Sequence, residues 1–200
     1  MRGKEGFLTS PKVVVAVGGT NSGNGATFFA LALANYLANY KRKKVSFMQL
    51  DKSGDMRKLR ERIPFFVEED SEEYFIFQGI KIFLKDYSGN MKEIINEDYD
   101  YLLLDIGTLG EEVSEEFIRA DRKILICNLA AWKLDDVEKL TEKSFGNLGK
   151  EKWILLGKPA YLDEIKRVKK CFGLAVHPLP YIENPFRLKQ REIKEIERLA

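Results

Sequence analysis

Short apolar runs alternate with segments of helical periodicity along most of the chain. Runs that are apolar at nearly every position are typical of strands covered on both faces. Five such runs are present: Val13–Val17, Val45–Leu50, Tyr101–Asp105, Lys123–Cys127 and Trp153–Leu156. Six helical candidates accompany them: Ala26–Tyr40, Asp55–Arg62, Met91–Asn96, Glu111–Arg119, Leu134–Ser144 and Leu162–Lys170. The alternation predicts βαβ units, and therefore an α/β fold in three layers, with a mainly parallel sheet flanked by helices.

Three segments depart from this alternation. Tyr74–Leu84 has apolar residues on both parities around Gly79, which predicts a hairpin or an extra pair of strands. Residues 1–11 form a polar N-terminal segment. Residues 184–200 predict a final helix that is opened by Pro185.

The predicted final helix has an apolar stripe flanked by charged side chains. Its apolar residues recur at helical spacing: Phe186, Ile193, Ile196 and Leu199. Basic residues flank the stripe, but Glu192, Glu195 and Glu197 dilute the basic face. We expect this helix to pack on the sheet, and the alternative is peripheral contact with a membrane surface.

Composition limits the classes of protein that need to be considered. The chain has 200 residues, of which 44% are hydrophobic, so we expect one domain over residues 1–200. The formal net charge of +2 gives no strong signal for nucleic-acid binding. Neither cysteine belongs to a C-x-x-C motif, which is typical of a protein from a reducing cytoplasm. The longest apolar run is also too short to predict a transmembrane segment.

A glycine-rich loop follows the first predicted strand and leads into the first predicted helix. Glycines in such a turn let backbone amides approach phosphate oxygens, and the helix N-terminus adds partial positive charge. The loop therefore predicts an anion-binding site. Its candidate residues are Gly19, Thr20, Asn21, Ser22, Gly23, Asn24, Gly25, Ala26 and Thr27. The alternative is a tight turn from strand to helix that binds no ligand.

These residues resemble the deviant P-loop of the ParA/MinD superfamily, whose usual form is G-K-G-G-x-G-K-[ST]-[ST]. The resemblance implies a P-loop NTPase-like domain, with Thr27 at the position that holds Mg²⁺. Two lysines of the motif are replaced, because Ala26 stands at the phosphate-binding position and Asn21 at the position that reaches across the dimer. Similar erosion in members of the TadZ/CpaE type makes those proteins the relatives that this loop resembles most.

Two aspartates extend the resemblance. Asp105 ends an apolar strand and resembles the aspartate that orients Mg²⁺ and its waters; a carboxylate that caps the next turn is the alternative. Asp51 opens a segment that resembles D-x-D-x-G, in which Ser53 replaces the carboxylate that positions the attacking water. The resemblance thus implies weak binding of ATP or ADP with Mg²⁺, and slow or absent hydrolysis.

Three other residues are candidates for further cations or ligands at the site. Lys52 and Lys158 both follow predicted strands and are candidates to face the loop, although most such lysines are solvated. His177 lies in an apolar context without a neighbouring ligand, so we expect a structural role.

Two other functions remain open from the sequence. Residues 19–25 also fit the G-x-x-x-G-x-G loop of short-chain dehydrogenases, which bind NAD(P), and Asp51 would then be the ribose-binding acid. An active ATPase with a non-standard loop is the second. The ParA/MinD resemblance favours a pseudo-ATPase that organises or localises a larger machine, such as a pilus, secretion or partition apparatus, through protein partners. It also implies a homodimer, although Asn21 removes the lysine that crosses the dimer.

Overall fold

The computed structural model describes residues 12–84, 94, 96–109, 114–145, 153–158, 162–172 and 176–199. The polar segment 1–11 and four of the six residues of the predicted helix Met91–Asn96 lie outside these residues. In helical residues 141–145, 162 and 171–172 only the backbone is described.

Nine strands form one sheet in the described part of the chain. They are β1 (Val13–Gly19), β2 (Val45–Gln49), β3 (Glu69–Asp70), β4 (Tyr74–Phe77), β5 (Ile80–Phe83), β6 (Tyr101–Thr108), β7 (Arg122–Asn128), β8 (Trp153–Lys158) and β9 (Val176–Pro178). Their order across the sheet is β3-β4-β5-β2-β6-β1-β7-β8-β9. Only β4 runs antiparallel to its neighbours; the other pairs are parallel. The mainly parallel sheet that the apolar runs predicted is confirmed, and each of the five predicted strands is present.

Six α-helices are described. They are α1 (Ala26–Asn35), α2 (Asp55–Arg62), α3 (Glu115–Arg119), α4 (Leu134–Phe145), α5 (Leu162–Phe172) and α6 (Gln190–Glu197). A π-helical turn, Tyr36–Tyr40, continues α1 to the predicted end of the first helix. Short 3-10 turns follow α2 at Pro64–Phe66 and precede α4 at Ala131–Lys133. Ser114 caps α3 by accepting a hydrogen bond from the Phe117 amide, so this helix begins later than Glu111.

The segment Tyr74–Leu84 is a β-hairpin. Strands β4 and β5 pair antiparallel, from Tyr74 opposite Phe83 to Phe77 opposite Ile80. Gly79, at the turn, has a φ of +70°, which glycine adopts without steric cost. The predicted hairpin is therefore confirmed, and it extends the parallel sheet on its β2 side.

The final helix begins at Gln190, so the prediction that Pro185 opens it is wrong. The cause is the buried carboxylate of Glu192, which accepts hydrogen bonds from the amides of Lys189 at 2.7 Å and Glu183 at 3.0 Å. These bonds provide acceptors for amides at the N-terminus of α6 and in the loop before it, and so determine where the helix begins.

Two hydrophobic cores lie on opposite faces of the sheet. One contains side chains of α1, α2 and α6, and the other contains side chains of α3, α4 and α5. The apolar stripe of the C-terminal segment contacts the first core, where Ile196 is fully buried. The expected packing of α6 on the sheet is thus confirmed. Among the described helices, none combines the length and the apolar character that crossing a membrane requires.

Candidate functional site

The glycine-rich loop leaves the centre of the sheet. Strand β1 lies between β6 and β7, so the loop begins at the carboxyl edge of an interior parallel strand. The Thr20 amide donates to the Ile126 carbonyl at 2.9 Å, and the Leu109 amide donates to the Gly19 carbonyl at 2.9 Å. These bonds fix the start of the loop to both neighbouring strands. In open α/β sheets this edge is the usual ligand site.

Two glycines give the loop its shape. Gly23 and Gly25 have φ angles of +76° and +93°, in the region that favours glycine, and Gly25 is the N-cap of α1. A Cβ atom built on either residue would meet no heavy atom within 4 Å. Within the described chain, the amides of Gly25, Ala26 and Thr27 donate to no protein acceptor. The loop thus presents unpaired amides and open space, which fits a phosphate group.

The polar side chains of the loop are bound to the protein itself. Asn24 is buried, and its Nδ2 atom lies 3.0 Å from the Thr20 Oγ1 atom and 3.3 Å from the Ile126 carbonyl. The Thr20 hydroxyl donates to the Asn21 Oδ1 atom at 3.0 Å. Because all three side chains are neutral and bonded to one another, they stiffen the loop without supplying a cation.

Asn21 also ties the loop to the first turn of α4. Its Nδ2 atom donates to the Asp136 Oδ2 atom at 2.8 Å. This hydrogen bond is the largest cause that lowers the pKa of Asp136, and Lys133, with its Nζ atom 3.6 Å away, adds to it. Asp136 is not among the site residues that the sequence predicts. Its only signal was an acid in the first turn of a predicted helix, which is common at helix N-termini for other reasons.

Thr27 and Asp105 meet beneath the loop. The buried Asp105 carboxylate accepts hydrogen bonds from the Gly107 amide at 3.1 Å and from the Gln49 Nε2 atom at 3.5 Å, and the Thr27 side chain lies close enough to lower its pKa. Burial raises the pKa of Asp105 to about 6, although the contacts with Thr27, Gly107 and Gln49 oppose the shift; the nearby charge of Asp51 raises the pKa further. The two residues predicted to hold Mg²⁺ are therefore adjacent.

Asp51 lies against the backbone of β6. Gly107 has a φ of +69°, and a Cβ atom there would lie 2.5 Å from the Asp51 Oδ2 atom. Asp51 accepts hydrogen bonds from Ser53, at 2.7 Å from the hydroxyl and 3.1 Å from the amide. The Gln49 Nε2 atom also contacts the Ser53 hydroxyl, at 2.9 Å. Ser53 is thus hydrogen bonded to Asp51 and contributes no charge.

The oxygen donors suit a hard cation. Mg²⁺ in nucleotide sites is held by one or two protein oxygens, with substrate phosphates and waters completing the octahedron. Thr27 and Asp105 supply such a hydroxyl and carboxylate. No cluster of three or more His, Cys, Asp or Glu ligands occurs in the described ranges, so they contain no candidate for a metal site formed by such side chains alone.

The other candidate residues differ in their relation to the loop. Ala26 is buried at the start of α1. The Lys158 Nζ atom lies 3.2 Å from the Gly23 carbonyl oxygen, so this half-buried lysine contacts the loop. Lys52 is exposed, and His177 is exposed on the edge strand β9. Of the lysines considered from the sequence, Lys158 is thus the one whose ammonium reaches the loop in the described structure.

The sheet order bears on the dehydrogenase alternative. In dinucleotide-binding folds, the second strand lies beside the first, and its terminal acid binds the ribose. Here β6 separates β1 from β2, and Asp51 packs on Gly107. This topology argues against the expectation that Asp51 binds the ribose of NAD(P).

Comparisons with known proteins give similarity in structure only. No family model matches the chain, and no curated protein matches it. A plasmid partition protein from Borrelia burgdorferi B31 bound to AMPPNP is 16% identical with a TM-score of 0.64, covering 96% of this chain and 97% of that one. The Aquifex aeolicus MinC:MinD complex is 15% identical with a TM-score of 0.58, covering 94% of this chain and 95% of that one. A nucleotide-binding protein from Archaeoglobus fulgidus in complex with ADP is 17% identical with a TM-score of 0.56, covering 92% of this chain and 87% of that one.

These structures are similar to this chain in overall fold. Each match covers most of both chains at an identity too low to carry function. The fold of this chain is therefore that of the ParA/MinD P-loop NTPases.

Proposed function

We propose that this chain is a nucleotide-binding adaptor with a ParA/MinD-type fold, which binds ATP or ADP with Mg²⁺ and turns it over slowly or not at all. In this proposal the bound nucleotide sets the shape of a surface that recruits protein partners of a larger assembly. A pilus, secretion or partition apparatus is the kind of machine in which such an adaptor acts, and self-association as a homodimer belongs to the same proposal.

One observation carries the nucleotide part. Thr27 and the buried carboxylate of Asp105 lie next to each other at the end of a loop in which the amides of residues 25–27 have no protein acceptor in the described chain and the glycines leave open space. Mg²⁺ and a polyphosphate are usually bound by a hydroxyl, a carboxylate and a group of backbone amides that point at the phosphates. Bound AMPPNP and ADP in two proteins of the same fold support this choice of ligand.

The replaced residues support slow hydrolysis. A lysine ammonium about 4 Å from a phosphate oxygen contributes on the order of 4 kcal/mol at an effective dielectric near 20. A helix N-terminus contributes roughly 0.3 to 2 kcal/mol. With Ala26 and Asn21 in the loop, the positions that supply cations in the family motif are neutral. Ser53 cannot accept a proton from water as a carboxylate does.

Exposed aromatic side chains support the adaptor part. Trp132 is 81% exposed in the turn that precedes α4, four residues before the Asp136 that bonds the loop. Phe65 and Phe66 are 94% and 71% exposed after α2. Large apolar side chains exposed in this way are typical of surfaces that bind proteins. The MinD of Aquifex aeolicus forms a complex with MinC, which makes a protein partner the natural choice for this fold.

Equilibrium binding and turnover on one preparation test the proposal. We expect ATP and ADP with Mg²⁺ to raise the unfolding temperature, because a ligand at 100 times its Kd adds about 2.7 kcal/mol, and NADH and NADPH to leave it unchanged. Phosphate release should equal that of a Thr27→Ala control. Stabilisation by NADH alone, or turnover well above the control, would overturn the nucleotide and pseudo-ATPase parts respectively.

The adaptor part is tested separately. A partner recovered by pull-down should bind purified wild-type protein and lose affinity for a Trp132→Ala or a Phe65→Ala variant, with exposed Tyr181→Ala as the matched control. If folded protein recovers no specific partner in any nucleotide state, the adaptor role is wrong even where nucleotide binding holds.

A further inference from the structure

Lys158 lies at the end of a strand that ends beside the loop. β1 pairs with β7 from Val15 opposite Arg122 to Gly19 opposite Ile126, and β7 pairs with β8 up to Asn128 opposite Lys158. Two strand spacings, about 10 Å, therefore separate the β1 and β8 backbones at this edge. The Lys158 side chain reaches the loop across this distance, and its Nζ atom lies 3.2 Å from the Gly23 carbonyl oxygen.

The charges around the loop make this ammonium unusual. Asp136 bonds to Asn21 of the loop and is paired with Lys133, Asp105 lies beside Thr27, and Asp51 lies near Asp105. Among the described residues Lys158 contacts no carboxylate, and its hydrogen-bond partner there is a neutral carbonyl. A half-buried ammonium with a neutral partner gains more from an anion than one that is already paired.

Gly23 is exposed, and a Cβ atom there would meet no heavy atom within 4 Å, so there is open space beside this residue. The flexible stem of lysine can carry its ammonium from the carbonyl to an oxygen that enters this space. Ala26, at the position of the missing cation, cannot supply that charge.

We propose that Lys158 donates its ammonium to the polyphosphate of a bound nucleoside di- or triphosphate, and so replaces from β8 the lysine that α1 lacks. This inference rests on the proposed function, since it requires a nucleotide in the loop. It makes Lys158 a binding residue, while hydrolysis remains slow because Ser53 stands where a carboxylate would orient water. It also predicts a preference for ligands with two or more phosphates.

The test measures binding of ATP, ADP, AMP and adenosine, with Mg²⁺, to wild type and variants by calorimetry. For Lys158→Gln we expect affinities for ATP and ADP to fall at least about tenfold, and those for AMP and adenosine to change less than about threefold. Lys158→Arg should retain most of the affinity, because the charge is kept. Lys52→Gln, an exposed lysine that follows β2 at the same edge, is the matched control and should bind as wild type does.

A second variant shows whether position or charge matters. Ala26→Lys in the Lys158→Gln background returns a cation to the loop, and should restore ADP affinity to within about threefold of wild type. The loss in Lys158→Gln should also shrink as salt concentration rises, because the attraction is electrostatic. Both variants must show the wild-type far-ultraviolet spectrum and melting temperature without ligand.

The outcomes separate this inference from the proposed function. If wild type binds ADP and Lys158→Gln binds it equally well, the role of Lys158 is wrong and the nucleotide site stands. If Lys158→Gln weakens adenosine as much as ADP, Lys158 shapes the pocket and does not contact phosphate, which also overturns the inference. If wild type binds none of the four ligands, both fail.

Discussion

The Thr27 side chain lies beside the buried carboxylate of Asp105 and lowers its pKa, so the first turn of α1 and strand β6 come together at this point. The two residues are 78 positions apart, and the parallel register of β1 with β6 brings them together, with Val17 opposite Asp105. In the proposed function, this hydroxyl and carboxylate would hold Mg²⁺ together with its waters.

Removing the charge of Asp105 should abolish the effect of Mg²⁺ on nucleotide binding. We expect Mg²⁺ to strengthen ATP binding by wild type about tenfold or more, and to have almost no effect on Asp105→Asn, because a neutral amide does not hold the hydrated cation. Calorimetric titrations of both proteins with ATP, in the presence of Mg²⁺ and of a chelator, measure this effect. Asp55→Asn is the control, since Asp55 at the same edge pairs with Lys58 at 2.9 Å. Equal Mg²⁺ dependence in Asp105→Asn and wild type would contradict the assignment.

The buried Asp105 should also make stability depend on pH. Its folded pKa of about 6 lies above the unfolded value of 3.8, so the folded state binds the proton more tightly. The contribution to stability is complete below about pH 3.8 and is lost as pH rises through 6. Between about pH 4 and 7.5, wild type should lose on the order of 3 kcal/mol relative to Asp105→Asn. Urea unfolding of both proteins at each pH checks this, and parallel stability profiles would show that the carboxylate is not buried.

The two left-handed N-cap glycines allow a matched comparison. Gly25 and Gly54 precede α1 and α2, have φ angles of +93° and +68°, and leave open space where a Cβ would stand. Alanine at either position should cost roughly 1 to 2 kcal/mol of unfolding free energy from backbone strain alone. Nucleotide affinity should fall only for Gly25→Ala, because only the Gly25 amide belongs to the proposed site. Equal affinity losses in both variants would mean that the loop is not the site.

The sequence predicted most of the sheet because the evidence for it is local. Nearly continuous apolar runs, such as Tyr101–Asp105, mark strands that are buried on both faces, and the glycines between Val17 and Thr27 mark the turn. Asp105 could be predicted as a site residue because it ends such an apolar run, although the strand itself continues to Thr108. The hairpin at Tyr74–Leu84 could be anticipated from Gly79, although its place beside β2 could not.

The features that could not be predicted from the sequence depend on contacts between residues that are far apart in the chain. The bond from Asn21 to Asp136 joins positions 115 residues apart, and the contact of Lys158 with Gly23 spans 135. Neither contact leaves a local pattern in the sequence. Asp136 could therefore not be predicted as a site residue, and Lys158 could not be distinguished from Lys52. The start of α6 was misplaced for the same kind of reason, because a buried Glu192 side chain outweighed the helix-starting tendency of Pro185.

The C-terminal helix should behave as part of the core. Ile196 is fully buried against the α1 face of the sheet, so Ile196→Ala should lower the unfolding free energy by about 2 to 5 kcal/mol. Lys194→Ala, on the exposed side of α6, should change it by less than about 0.5 kcal/mol. Denaturant unfolding of the two variants decides the matter. If Ile196→Ala is as stable as wild type but fails to sediment with anionic vesicles that wild type binds, then α6 is a membrane helix after all.

Restoring the missing groups should restore turnover in a defined order. Ala26→Lys alone should tighten ATP binding without raising phosphate release, because Ser53 still stands where a carboxylate would position water. Adding Ser53→Asp should raise the single-turnover rate by roughly a hundredfold or more, the usual contribution of a well-placed base. Ala26→Lys with Ser53→Ala is the matched control, since it removes the hydroxyl bonded to Asp51 without adding charge. If the Asp and Ala variants release phosphate at the same rate, the slow hydrolysis does not arise from Ser53.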